Sequence, residues 1–278
     1  GTRAAAGASM PISRPRALLR LLLYAALTLP LMPVQALLVL ARAPLAARLP
    51  RWYHAACCRI LGLRVLVRGA PSEVAPTLFV SNHLSYLDIV VLSALAPVSF
   101  VAKREVASWP FFGWLARLQR TVFVGRDRRS VHDERDSLAA ALAEGRSLVL
   151  FPEATSWDGN RLRPFRSSLL AAAEIAPDGR PLAVQPVTIA YTRLDDVPMG
   201  RNLRPFFAWY GAMDLAPHLW EALGVGLVTV EVEFHDVVTF ARFGSRKALT
   251  QHCESSIAAA LSDLNAGRRP GAPRRASP

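Results

Sequence analysis

The sequence predicts an α/β domain built on a largely parallel sheet, and three observations carry that reading. Short apolar runs recur at residues 77–80, 98–102, 121–124, 147–151 and 182–191, each the length of a buried strand. Stretches with helical spacing lie among them, at about 84–95, 130–144, 166–175 and 245–263. A last run, Leu227–Phe234, ends in strict apolar–polar alternation (VTVEVEF), which marks a strand with one wet face. It is expected to close the sheet at an edge. Strands alternating with helices are what crossover connections demand. The 278 residues suit one large domain or two small ones, and a chain that is 52% hydrophobic and 19% charged is not a disordered one.

The N-terminal side reads differently. Residues 1–15 are small and turn-prone and are expected to form a disordered leader, with Met10 a candidate start. Residues 16–68 form the expected membrane-associating helical segment. Within it residues 21–41 carry no charge, and as a helix they would span roughly 32 Å at ~1.5 Å per residue, about a bilayer core. Pro30 and Pro33 argue against a straight helix. A spanning helix, a kinked helix lying in the interface and a helix buried in the core are all open. Residues 42–68 mix Arg42, Arg48, Arg51, Arg59, Arg64 and Arg68 with leucines, Trp52 and Tyr53. That pattern suits an amphipathic element on anionic lipid, or an ordinary surface helix followed by a strand. The main domain is expected over 69–265, and 266–278 is a Pro/Gly/Arg tail expected to be disordered.

The charge balance follows this division. The chain carries a net +12, and eight of those charges are arginines in residues 1–20 and 266–278, which hold no acid. Basic ends beside an apolar segment point to an anionic membrane surface more than to a nucleic acid groove. Three cysteines, two of them the adjacent Cys57 and Cys58, exclude a disulfide framework and suit a reducing compartment.

Candidate chemistry gathers where predicted strands end, the usual place for function in open α/β sheets. After residue 80 come Ser81, Asn82, His83 and, five residues beyond the histidine, Asp88. A helix starting just after His83 lets the carboxylate fold back onto the imidazole. Asp88 would then hold one ring nitrogen and leave the other free as a base. The competing reading is a capped helix N-terminus with a satisfied histidine. After residue 150 come Phe151, Pro152, Glu153, Ala154, Thr155 and Ser156, then an Asp158–Gly159 turn. Lys103 and Arg104 follow one strand, and Arg126, Arg128 and Arg129 another. A histidine base beside such cations suggests transfer onto a hydroxyl of an anionic substrate. No metal-ligand spacing is present, and His132-Asp133-Glu134 reads as a helix N-terminal charge cluster. No Gly-x-Ser-x-Gly elbow or cysteine near His83 supports a hydrolase. A non-catalytic basic protein binding membrane or nucleic acid would explain the charge, but not a His–Asp pair and a Glu at successive strand exits.

These residues resemble the membrane glycerolipid acyltransferases, the 1-acylglycerol-3-phosphate O-acyltransferase (lysophosphatidic acid acyltransferase) group. Asn82-His83 with Asp88, Phe123-Val124-Gly125-Arg126, Phe151-Pro152-Glu153-Ala154-Thr155 and Val184-Gln185-Pro186-Val187 match four of its motifs in order. Phe100-Val101-Ala102-Lys103 with Trp109-Pro110 is similar as well. The resemblance covers roughly residues 70–240. It implies a twisted mixed sheet wrapped by helices, with an N-terminal apolar helical anchor. It implies transfer of an acyl chain from a CoA or acyl carrier protein thioester, a co-substrate rather than a cofactor, to the free hydroxyl of a lyso-lipid. His83 and Asp88 would be catalytic. Asn82, Lys103, Phe123, Arg126, Glu153, Ala154, Thr155 and Pro186 would bind substrate. No metal, cofactor or nucleic acid partner is implied, and the expected location is the cytoplasmic face of a bacterial inner membrane.

The departures bear on the acceptor. Ala154 and Arg120 stand where the family favours Gly, and Ala154 argues against a left-handed backbone there. Ser156 stands where Arg is common, removing a phosphate ligand, and Arg120, Arg161, Arg163 and Arg166 are candidate replacements. The Thr155-Ser156-x-Asp158-Gly159 continuation with Arg163-Pro164-Phe165-Arg166 resembles a bacterial subgroup that includes lyso-ornithine lipid acyltransferases. The first choice of acceptor is 1-acylglycerol-3-phosphate and the second a lyso-ornithine lipid.

Overall fold

The structure is a computed structural model and describes residues 12–125, 131–211, 213–268 and 273–276. Helices α1 (Arg14–Leu40) and α2 (Leu45–Leu61) open the chain, followed by β1 (Leu63–Arg68), β2 (Thr77–Ser81), α3 (Leu87–Leu95) and β3 (Val98–Lys103). Then come α4 (Phe112–Leu118), β4 (Val122–Val124), α5 (Val131–Ala143), β5 (Ser147–Leu150), the long β6 (Ala183–Leu194) and β7 (Val197–Pro198). The chain ends with α6 (Leu215–Gly224), β8 (Val228–Phe234), β9 (Val238–Thr239), α7 (Phe240–Phe243), α8 (Arg246–Asn265) and β10 (Arg274–Arg275).

Among the described residues the strands form one sheet in the order β10-β1-β8-β6-β2-β5-β3-β4, with β7 and β9 paired on β6. The run β6-β2-β5-β3-β4 is parallel, so β2, β3, β4 and β5 all end at the same edge. Successive side chains of β2 feed opposite faces. Phe79 joins Leu87, Val91, Val187 and Val230 on one side, whereas Leu78 and Val80 join Leu142, Leu148, Leu249 and Ile257 on the other. The sheet is therefore covered by helices on both faces, as parallel strands require.

Four sequence expectations change. The alternating strand β8 is interior, antiparallel to β6 and parallel to β1. Its alternation reports a half-covered face on which Glu231 meets Arg68 at 3.3 Å, not a free edge. Residues 63–68 belong to the sheet rather than to a helical segment, with Leu63 opposite Val228. Within the tail expected to be disordered, Arg274 and Arg275 pair with Val67 and Leu66. The stretch expected as a helix near 166–175 is a 3₁₀ helix, Ser167–Glu174. The leader expectation falls on residues that, up to 11, lie outside those described, while Arg14 and Pro15 are already helical.

Helix α1 runs unbroken through Pro30 and Pro33, and only Ala17, Thr28 and Gln35 on it are buried. That excludes a core helix. Leu19, Leu22, Leu29 and Leu37 stand out into solvent, and α1 is long and apolar enough to cross a membrane. Its other side is fastened: the Arg20 guanidinium donates to the carbonyls of Leu223, Val225 and Gly226 at 2.8–3.3 Å, closing the end of α6. On α2, Arg42 (just before it), Arg48, Arg51, Trp52 and Arg59 are exposed, whereas Arg64 and Arg68 are spent on Asp196 and Glu231.

The two positions where Gly was expected are both left-handed, Ala154 at φ 60° and Arg120 at φ 58°. Ala154 therefore does adopt the backbone that its Cβ opposes, because the turn after β5 closes through its N–H to Phe151 O at 3.1 Å. The left-handed region costs a non-glycine residue about 1–2 kcal/mol, partly offset by the extra freedom of glycine in the unfolded chain. Ala154→Gly is expected to raise stability by about 0.5–1 kcal/mol, read as a higher denaturant midpoint at unchanged slope. A lower midpoint would mean that the turn carries no strain.

Candidate active site

The histidine loop is built at the end of β2. Beyond Ser81 the strand stops, but Asn82 continues the ladder with its side chain. Its Nδ2 donates to Ile189 O and its Oδ1 accepts from Ile189 N–H, both at 2.9 Å, which pins the loop to β6. The chain then turns into α3, and the buried Asp88 in its first turn faces back towards the loop.

Asp88 collects four donors. Its Oδ2 accepts from the N–H groups of Leu84 at 2.6 Å and Ser85 at 2.9 Å and from His83 Nδ1 at 2.9 Å. Its Oδ1 accepts from the Tyr191 hydroxyl at 2.9 Å. A carboxylate only accepts, so in the neutral imidazole the proton sits on Nδ1 and the lone pair on Nε2. Burial, reinforced by the Asp88 charge, raises the Tyr191 pKa well above the ordinary phenol value, so this hydroxyl stays a donor. The His83 ring lies flat on Phe151 with centroids 4.0 Å apart and remains 20% exposed. A fixed ring with one proton-accepting nitrogen open to the outside is equipped to take a proton from a hydroxyl.

Glu153 braces this loop against the one after β5. Its Oε1 accepts from His83 N–H at 2.8 Å and its Oε2 from Arg163 N–H at 2.9 Å. Burial pushes its pKa up to about 7, against the pull of those two hydrogen bonds. Two further links tie the loops together. Trp157 N–H donates to His83 O at 3.1 Å, and Gly159 takes a positive φ where a Cβ would run into Leu84. The Ser156 hydroxyl donates to Trp209 O, and Trp209 N–H donates to Leu84 O at 3.1 Å, so the segment around Trp209 closes over the same loop.

The structure thus brings His83, Asp88 and Glu153 into one network, and three of the residues expected to bind substrate have backbone partners within the protein. Asn82 and Glu153 are buried with their polar atoms taken by backbone groups, and Pro186 is buried in β6 opposite Val80, its carbonyl accepting from His235 N–H. Ala154 and Thr155 form the half-buried turn beside Glu153. Lys103 and Phe123 lie on β3 and β4, at the same carboxyl edge but two and three strands from β2. Arg126, Arg128 and Arg129 lie outside the described residues, and of His132-Asp133-Glu134 only the helical backbone is described. Tyr191 and Trp209 were missed. Tyr191 left one trace in the sequence, a hydroxyl in an apolar strand, which when buried needs a partner.

Comparison with known proteins now bears on this arrangement. Residues 64–190 match the Acyltransferase family. A lyso-ornithine lipid O-acyltransferase from Brucella abortus (strain 2308) is 44% identical over 248 residues, covering 87% of this chain and 92% of that protein. A 1-acyl-sn-glycerol-3-phosphate acyltransferase from Neisseria gonorrhoeae is 34% identical, covering 73% of this chain and 76% of that protein. The crystal structure of the 1-acyl-sn-glycerophosphate (LPA) acyltransferase PlsC from Thermotoga maritima superposes with a TM-score of 0.60 at 20% identity, over 81% of each chain, which is a likeness of fold. With relatives this similar over most of both lengths, and a sheet and helices laid out alike, the chain belongs to the Acyltransferase family and is an acyltransferase.

Proposed function

We propose that this acyltransferase moves an acyl chain from a thioester to the free hydroxyl of a lyso-ornithine lipid. The observation that carries the chemistry is the His83–Asp88 contact, which leaves Nε2 as the open base. His83 Nε2 takes the acceptor hydroxyl proton as the oxygen attacks the thioester carbonyl. The new C–O bond gives a tetrahedral oxyanion, stabilised by donors at the strand exits. Its collapse breaks the C–S bond, and the thiolate of CoA or acyl carrier protein leaves with the proton from His83. Asp88 holds the ring and balances the charge it gains, and Tyr191 holds Asp88 in place.

The acceptor reading moves the second sequence-based choice ahead of the first. It is supported by the similarity to the Brucella protein and by Ser156, whose hydroxyl is committed to Trp209 O rather than offered to a phosphate. The acyl chain has a matching space. An apolar cavity of about 210 Å³ lies between α1, α2 and the domain, lined among others by Leu31, Tyr53, Val90, Phe100 and Trp109. Phe100 stacks on Phe151, which stacks on His83, so the cavity wall adjoins the base. The leucine face of α1 and the exposed Arg48, Arg51 and Arg59 support seating on an anionic bilayer, which we assign to the cytoplasmic face of the inner membrane.

Purified protein given lyso-ornithine lipid and acyl thioester is expected to release free thiol and form the diacylated product. His83→Ala should lower kcat by about 10²–10⁴-fold with the fold intact, and Asp88→Asn should cost less because the ring stays. Tyr191→Phe removes one hydrogen bond to a charged group, worth about 1.5 kcal/mol or more, and should lower kcat about tenfold with KM unchanged. Activity of His83→Ala equal to wild type would refute the mechanism.

Glu153 gives a pH signature. Its folded pKa is raised, so the folded state binds more protons than the unfolded state between about pH 4.5 and 7. Stability therefore falls as pH rises through that window. Thermal melts across it should show this slope in the wild type and lose it in Glu153→Gln. An identical slope in both would place the titration elsewhere.

Membrane seating is tested by replacing Leu19, Leu22, Leu29 and Leu37 together with Asn. The variant should leave the membrane fraction while its melting temperature in detergent holds. Retention in the membrane pellet would exclude the leucine face as the contact.

A further inference from the structure

The loop after β5 carries one feature that neither the proton relay nor the frame uses. The Arg163 guanidinium lies over the Trp157 indole, 4.6 Å from the ring centroid. Trp157 is 37% exposed, and its ring also meets Tyr210 at 5.4 Å. Both residues are tied to the histidine loop through backbone bonds, Trp157 N–H to His83 O and Arg163 N–H to the carboxylate that also holds His83 N–H. The pair is therefore built beside the base, on a loop that cannot shift without disturbing it.

Among the described residues no carboxylate pairs with Arg163. The nearest acid in sequence, Asp158, spends its oxygens on Asn160, accepting from its backbone N–H at 2.9 Å and its Nδ2 at 3.4 Å. An aromatic face attracts a guanidinium without engaging its fork of N–H donors as a carboxylate would. That fork matches a carboxylate, and a half-buried site strengthens the pairing. The other candidate replacements for the cation missing at Ser156 are placed less well. Arg120 is bound to Glu144 at 3.0 Å, and Arg161 and Arg166 are exposed.

We propose that Arg163, held over the Trp157 ring on the loop that braces His83, binds the anionic group of the acceptor headgroup and so selects the acceptor. In a lyso-ornithine lipid that group is the carboxylate of the amino-acid head. The identification of the carboxylate rests on the acceptor reading above, while the anion-binding role of Arg163 is tested independently of it.

The experiment uses the full chain in mixed micelles with three acceptors: lyso-ornithine lipid, its carboxamide and 1-acylglycerol-3-phosphate. Wild type should prefer the carboxylate to the carboxamide by about 10- to 100-fold in kcat/KM, the range for a hydrogen bond to a charged group. Arg163→Gln should raise KM for the carboxylate by the same factor, leave kcat within about twofold and leave the carboxamide unchanged, whereas Arg163→Lys should recover part of the preference. Melting temperatures check folding, and if Arg163→Gln does not fold, the wild-type preference and Arg163→Lys decide. No preference for the charged acceptor in wild type, or an equal loss on both acceptors in the variants, overturns the proposal. If wild type acylates only 1-acylglycerol-3-phosphate, the lyso-ornithine reading fails. Arg163 then stands as the anion ligand if Arg163→Gln raises KM for that phosphate, and falls if it does not.

Discussion

The active arrangement hangs on one buried carboxylate. Asp88 has no exposed side-chain surface, and a carboxylate removed from water is tolerated only when its lone pairs are filled. Two backbone N–H groups, an imidazole N–H and a phenol fill them, and each donor comes from a place that must be held still for the bond to last. The loop, the histidine ring and β6 are thereby fixed against α3 by a single group. The need to satisfy that charge, rather than any intrinsic preference of the loop, gives the histidine its orientation and its tautomer.

A second carboxylate does comparable work one strand over. Glu153 joins the loops after β2 and β5 by accepting from one backbone N–H in each. Protonation turns one of its oxygens into a donor and sets it against an N–H group. Burial nonetheless favours the protonated form, so desolvation and the two hydrogen bonds oppose each other at this joint. Two adjoining loops at one sheet edge are in this way coupled electrostatically as well as by packing.

Much of this was legible in the sequence where the interacting residues are close along the chain. His83 and Asp88 are five residues apart, and a strand exit followed by a helix start is enough to bring them together. The strands were legible because burial on both faces leaves continuous apolar runs. What the sequence concealed was long-range. Tyr191 reaches Asp88 across 103 residues, and its partnership depends on the register that sets Val80 against Pro186. The backbone partners of the Asn82 and Glu153 side chains were equally hidden, since Ile189 and His83 lie 107 and 70 residues away along the chain. Strand β1 was hidden differently, because its arginines read as part of the basic stretch before it, although Arg64 and Arg68 find acids inside the protein. Ala154 shows that closing a turn can override a residue's backbone preference.

The docking of Arg20 onto the end of α6 has a mechanical consequence. Helix α1 is not a tether. Its guanidinium grips three carbonyls on the turn that leads straight into β8, and β8 is bonded to β6, which carries Tyr191. A load on the leucine face of α1 would therefore pass through these contacts to β8 and on to the strand that holds Tyr191 against Asp88. The apolar face and the histidine loop thus belong to one connected framework rather than to two parts joined by a loose linker.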